Sequence, residues 1–232
     1  MRAGCVVPAV ASLDAPPRRE QHPLLGMPRR DALTTLFVGL ATVVVFVGVA
    51  YHSTKAPIQR LDDRFLRVMV SNRASAFTAI AHFFNVLGLV YVIWPIRLVI
   101  AGFLGLRRRW WHFASFLSAV VLSEISIGLL KALYDRPRPP GALVHTTASS
   151  FPSGHAVAAT VTVVAGVIAF FPEGRRRYVW GAAAVGFSVL MGLSRAYLGA
   201  HWLSDAVAGI LLGTSIALGT ALALHALRGR AA

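Results

Sequence analysis

His201 and Asp205 stand four residues apart, one turn on the same face of a helix. A carboxylate bonded to one imidazole nitrogen fixes the ring's tautomer and aims the other nitrogen outward, as a base or nucleophile. An aspartate beside a long apolar run is costly unless paired, so this one needs a reason to be there. Ser194 and Arg195 come just before the pair. A second histidine closes Pro152-Ser153-Gly154-His155, which opens another apolar run. Serines and a proline in that place are helix-start signals, and the free N–H groups and dipole of a helix start attract anions. Gly154 lets a ligand approach the backbone, and His155 in the first turn faces the same ligand. A third cluster, Lys131-Ala-Leu-Tyr-Asp-Arg136-Pro-Arg138-Pro139, ends a different run. Its Arg-Pro-Arg-Pro-Pro stretch cannot continue a helix and makes a stiff, extended loop. Lys131, Arg138 and Arg195 would repel one another unless an anion lay between them, and guanidinium grips phosphate oxygens in pairs. Arg136 by itself reads as an anchor to lipid headgroups. The chemistry these clusters suit is phosphate handling.

His155, His201 and Asp205 would also serve as three zinc ligands. The neighbouring cations oppose a divalent metal, so no metal and no other cofactor is expected. The single cysteine, Cys5, excludes an intrachain disulfide and a cysteine-based metal site.

The elements that must position these residues are membrane helices. The chain of 232 residues is 56% hydrophobic and only 14% charged, with mean hydropathy +0.64. That profile is an integral membrane protein rather than a soluble domain with a large core. The net charge of +14 does not point to nucleic acid, because the cations cluster between apolar runs as they do in membrane loops. The pattern predicts an all-α, integral membrane six-helix bundle with an interfacial amphipathic helix. Residues 1–30 read as a disordered cytoplasmic tail, 31–74 as the first span and the interfacial helix, 75–227 as the catalytic core, and 228–232 as a second tail. The spans run over 33–51, 76–106, 113–130, 153–171, 178–198 and 202–227. The second, interrupted by Pro95 and Arg97, is one tilted or kinked helix, with Arg97 snorkelling to an interface. The interfacial helix covers 57–70, with Ile58, Leu61, Phe65 and Met69 on one face. His82, His112 and His225 read as structural. Glu124, two turns before Lys131, pairs with a buried cation, tunes Lys131, or is a protonated acid bonded to a neighbouring helix.

Basic residues set the topology. The tail to Arg30, the turns Arg107–Arg109 and Arg175–Arg177, and Arg228 with Arg230 fall on one side, against Lys55, Arg60, Arg64, Arg67 and Arg73 on the other. The positive-inside rule then puts the N-terminus in the cytoplasm and all three polar clusters on the extracytoplasmic face of the cell membrane.

These clusters resemble the three signature motifs of the type 2 phosphatidic acid phosphatases, the lipid phosphate phosphatases, whose active site is related to that of vanadium haloperoxidases. Lys131, Arg138 and Pro139 match the first motif, Pro152 to His155 the second, and Ser194, Arg195, His201 and Asp205 the third. The resemblance spans roughly residues 75–227. It implies that His201 attacks phosphorus to give a phosphohistidine, that Asp205 orients it, and that His155 protonates the leaving group and then activates water. It implies that Lys131, Arg138, Ser153, Gly154 and Arg195 hold the phosphoryl oxygens, with Pro139, Pro152 and Ser194 in support and no metal. Undecaprenyl diphosphate, phosphatidic acid and phosphatidylglycerophosphate all fit such a site. The same residues suit a lipid phosphotransferase. A binder or transporter without catalysis would need only the cations, not His155, His201 and Asp205.

Overall fold

The computed structural model describes residues 28–231, and most of the tail expected over 1–30 lies outside them. Eight helices and no strand occur among the described residues: α1 (Pro28–Ala50), α2 (His52–Ser71), α3 (Ser75–Leu87), α4 (Val90–Leu106), α5 (Trp110–Tyr134), α6 (Gly154–Phe170), α7 (Arg175–Tyr197) and α8 (Leu203–Ala231). Four of them, α1, α5, α7 and α8, are long and apolar enough to cross a membrane, and the bent pair α3–α4 makes a fifth candidate. At 17 residues α6 is shorter. Leu36, Phe37, Leu40 and Val44 of α1 and Leu129 and Leu133 of α5 face outward. That is a lipid-facing surface, not a water-facing one.

The shortness of α6 goes with its place. Apart from Thr160 and Thr162 it is apolar from Ala156 to Ala169, and most of those residues are buried, as in a helix at the centre of a bundle. Helix α8 packs on it closely because Gly209 and Gly213 present no side chain there. A Cβ on Gly209 would lie 2.8 Å from the Ser153 carbonyl oxygen, and one on Gly213 would lie 2.9 Å from that of Val157. Small residues four apart are the usual means of such contact in membranes. Phe116, Val120, Val157, Val161 and Ala217 fill the space among α5, α6 and α8.

The structure locates one expected feature and corrects another. The kink in the 76–106 run is a 54° bend between α3 and α4, at Gly88 and Leu89, while Pro95 lies within α4. Arg97 does not snorkel. It is 2% exposed and donates to Glu124 Oε1 at 2.6 Å, Thr162 Oγ1 at 2.9 Å and the Ala158 carbonyl at 3.2 Å. Glu124 is therefore the partner of a buried cation. Joining α4, α5 and α6, this knot satisfies a charge that hydrocarbon could not solvate.

Helix α5 ends at Asp135, which adopts the left-handed conformation with φ 34° and donates its N–H to the Lys131 carbonyl at 3.2 Å. The Arg-Pro-Arg-Pro-Pro loop then leaves the bundle axis as the prolines require. The C-terminal ends of α5 and α7 and the N-terminal ends of α6 and α8 meet at one end of the bundle. Helix α2 is laid across that same end.

Candidate active site

The last turn of α5 supplies Lys131, and the loop after it Arg138. The first turn of α6 supplies His155 behind Ser153 and Gly154, the last turn of α7 supplies Arg195, and the link to α8 supplies His201. Lys131 Nζ donates to the Ser149 carbonyl, and its Cε would lie 3.8 Å from a Cβ on Gly154. Arg138 is held by carbonyls, at 2.9 Å from Ala148, 3.1 Å from Thr147 and 2.5 Å from Ala200. Its Nη1 reaches His201 Nε2 at 3.3 Å. Arg195 Nη1 donates to Asn85 Oδ1. Lys131, Arg138 and Arg195 lie within electrostatic range of one another, and His155 within range of Arg195, His201 and Arg138. The cations and histidines singled out in the sequence are thus brought together.

Several of these groups are unfinished. Ser149 Oγ, Ser153 Oγ, His155 Nε2 and Arg195 Nε are buried without a hydrogen-bond partner. Leaving one such group unsatisfied costs about 1–3 kcal/mol, so their convergence marks a place built for a polar ligand. Ser153 occupies the N-cap of α6 but makes no side-chain cap bond, which leaves its hydroxyl to the ligand. Ser194 is turned away and donates to the Met191 carbonyl at 2.7 Å within α7. Pro139 and Pro152 are buried in the loop walls.

The histidine–aspartate pair differs from expectation. His201 Nδ1 lies 2.7 Å from the Ser150 carbonyl oxygen, and Asp205 Oδ2 is farther, at 3.6 Å. A carbonyl only accepts, so Nδ1 carries the proton and Nε2 carries the lone pair. Asp205 acts around the ring rather than on it. Its Oδ2 accepts from the Ser150 hydroxyl and from the Trp202 N–H at 2.9 Å, and its Oδ1 from Arg136 Nη1 at 2.6 Å. Burial pushes the His201 pKa down to about 4, with the Asp205 carboxylate opposing and the Arg195 and Arg138 charges adding to it. The ring is neutral at physiological pH, as a nucleophile must be.

Arg136 is not a headgroup anchor. It is buried, and its second nitrogen donates to Asp62 Oδ2 at 2.7 Å and Gln59 Oε1 at 2.8 Å, both on α2. The helix read as interfacial therefore presses a buried aspartate into the edge of the site. The signal was in the sequence, since Asp62 interrupts the apolar stripe Ile58, Phe65 and Met69 at helical spacing. Asn85, Gly88 and Ser150 carried no such signal. A Cβ on Gly88 would lie 2.3 Å from His155 Cδ2, so the His155 ring rests on bare backbone at the α3–α4 bend. Among Lys131, Arg136, Arg138, Arg195, Asp62 and Asp205, cations outnumber carboxylates four to two. The excess matches a phosphate monoester dianion.

The sequence profile of the PAP2 superfamily matches residues 112–228, just over half the chain and every site residue named above except Gln59, Asp62, Asn85 and Gly88. The chain belongs to the PAP2 superfamily. Phosphatidylglycerophosphatase B of Bacillus subtilis (strain 168) is 29% identical over 188 residues, 76% of this chain and 88% of that protein. The fold agrees with two solved structures of the superfamily's kind. One is a transmembrane PAP2-type phosphatidylglycerolphosphate phosphatase from Bacillus subtilis, with TM-score 0.69 and 24% identity, covering 80% of this chain and 93% of that one. The other is Aquifex aeolicus LpxE, with TM-score 0.57 and 23% identity, covering 69% and 94%. This PAP2 protein shares its all-helical fold, with helices long and apolar enough to cross a membrane, with those two structures.

Proposed function

We propose that this PAP2 phosphatase removes phosphate from a membrane lipid through a phosphohistidine on His201, without a metal, at the extracytoplasmic face of the cell membrane. The observation that carries the mechanism is the Nδ1 contact to the Ser150 carbonyl at 2.7 Å, which leaves the Nε2 lone pair pointing toward Arg138. His201 Nε2 attacks phosphorus while the P–O ester bond breaks, and His155 gives its proton to the departing oxygen. Water then loses a proton to His155 and attacks the phosphohistidine, the N–P bond breaks, and inorganic phosphate leaves. Lys131, Arg138, Arg195, the Ser153 hydroxyl and the backbone at Gly154 carry the charge that spreads over the phosphoryl oxygens. Two displacements replace one difficult step.

The bundle crosses the membrane six times in this reading, with α3–α4 counted as one span and α6 as another, and 75–227 forms the catalytic core. The basic turns Arg107–Arg109 and Arg175–Arg177 lie at the end of the bundle opposite the site, which supports a cytoplasmic N-terminus. An apolar groove of about 470 Å³ runs between α2, α3 and α7, lined by Phe65, Ile80, Phe84 and Leu193 and reaching Ser194, next in the chain to Arg195. It suits a lipid chain whose phosphate rests at Arg195. The relative in Bacillus subtilis makes phosphatidylglycerophosphate the first substrate to try, with phosphatidic acid and undecaprenyl diphosphate beside it.

The test is phosphate release by purified protein from each of these lipids, with and without chelator, using His201→Ala as the blank. Turnover is expected to fall by about 10⁴ or more in the variant and to survive chelation. Wild-type turnover in His201→Ala refutes the nucleophile. Loss with chelator and recovery with zinc refutes the metal-free reaction.

A further inference from the structure

Asp62 is 1% exposed on a helix whose arginines 60, 64 and 67 face outward. A buried carboxylate is tolerated only where its lone pairs are filled. Those of Asp62 are filled entirely from the edge of the site. Oδ1 takes the Ser204 N–H at 2.8 Å, and Oδ2 takes the Ser204 hydroxyl at 2.6 Å and Arg136 Nη2 at 2.7 Å. Arg136 stands between two carboxylates, Asp62 on one side and Asp205 on the other. Both its terminal nitrogens are spent on the side chains of Gln59, Asp62, Ser204 and Asp205, and the two carboxylates meet its charge, which the carbonyl partners of Arg138 do not, so it holds the site together rather than gripping phosphate. From Asp205 the contacts continue through the Ser150 hydroxyl, and the carbonyl of that same serine receives the His201 Nδ1 proton.

We propose that Asp62 is a positioning residue for phosphoryl transfer, and that α2 is a strap locked onto the site through Asp62 and Arg136. The inference rests on His201 as nucleophile. Asp62 halves the claim of Arg136 on Asp205. With Asp62 neutral, the guanidinium turns wholly to Asp205, draws it from Ser150 and Trp202, and lets the Ser150 carbonyl and the His201 ring drift. Phosphate binding by Lys131, Arg138 and Arg195 is untouched, because none of them contacts Asp62. The effect therefore falls on kcat rather than on KM.

The test measures phosphate release by the full-length protein in detergent micelles. It uses whichever of phosphatidylglycerophosphate, phosphatidic acid and undecaprenyl diphosphate is hydrolysed fastest. Asp62→Asn, which acts on His201 through Arg136, Asp205 and Ser150, is expected to lower kcat about tenfold, with KM within about threefold of wild type. Arg136→Gln lowers kcat by a similar or larger factor. The double variant is no worse than Arg136→Gln alone, because the two act through one contact. Losses that multiply, a change confined to KM, or wild-type kcat in Asp62→Asn overturn the proposal. Should Asp62→Asn not fold, Ser204→Ala removes one bond to each partner and is expected to cost about fivefold in kcat. Wild-type kcat there overturns the proposal as well. His201→Ala separates the two readings. Turnover in that variant brings down the phosphohistidine, whereas a dead His201→Ala beside a fully active Asp62→Asn brings down only the strap.

Discussion

Arginine is buried in two parts of this molecule, and the two burials are finished differently. In the middle of the bundle, Arg97 spends its donors on Glu124, Thr162 and the Ala158 carbonyl. At the end of the bundle that carries the site, Arg195 is 3% exposed, holds Asn85 with one nitrogen, and leaves Nε buried without a partner. No carboxylate pairs with Lys131, Arg138 or Arg195 among the described residues, although Asp205 is near enough to have done so for another fold. Its charge goes instead to Arg136. The closed knot holds helices together. The open cluster stores unmet attraction for an anion, and the fold keeps its own carboxylates from filling it.

The sharpest way to break this comparison is to exchange the outcomes. Arg195→Ala is expected to lower kcat/KM about 10³-fold, the scale of one lost transition-state donor in a dry site, while the thermal midpoint holds or rises because an unsatisfied cation is gone. Arg97→Met is expected to do the reverse. It strands Glu124 and costs about 3 kcal/mol of stability, with kcat/KM per folded molecule within about threefold of wild type. Replacing both partners, as Arg97→Met with Glu124→Leu, restores most of that stability, since no charge is left to strand. Thermal unfolding in detergent beside phosphate release reads both halves. An Arg97→Met protein that is stable but inactive would make the knot part of the site.

Next in size is the support under His155. Gly88→Ala puts a methyl group where the ring lies and must move it, so kcat is expected to fall about 30-fold with KM little changed. Gly102→Ala, where a Cβ meets nothing within 4 Å, is the matched control and is expected to be neutral.

How far these features could be read from the chain follows the reach of each signal. Lys131, Arg138, His155, Arg195, His201 and Asp205 announced themselves because they interrupt apolar runs, where polar residues are expensive. The helices were legible for the same reason, as lengths of hydrocarbon. Direction of pairing was not. Arg97 and Glu124 lie on different helices, and nothing in either local sequence says that they meet. Spacing alone joined His201 to Asp205, whereas the fold gave the Nδ1 proton to a backbone carbonyl, which every residue possesses and no sequence advertises. Pro95 interrupts the 76–106 run by type, yet the bend falls at Gly88, where the chain must leave room for a histidine from elsewhere.

The smallest expected effect tests whether the open cluster is also dry. Burial lowers the His201 pKa from an ordinary 6.5 to about 4, and Asp205 opposes that fall. Attack needs the neutral ring, so as pH drops activity is retained through 6.5 and lost only on approaching 4. The acid limb of kcat/KM, which reports the free enzyme, is therefore expected below pH 5. Stability moves with it. Between pH 6.5 and 4 the unfolded histidine binds a proton that the folded one refuses, so folding is favoured fully above that window and less as pH falls through it. Asp205→Asn sharpens the point, because it removes the group that raises the His201 pKa. In whatever activity that variant keeps, the limb moves to lower pH, opposite to what loss of a base would give. An acid limb near pH 6.5 in the wild type would mean that the ring meets water. The unmet donors around it would then be solvated, and the contrast with the Arg97 knot would reduce to one of exposure.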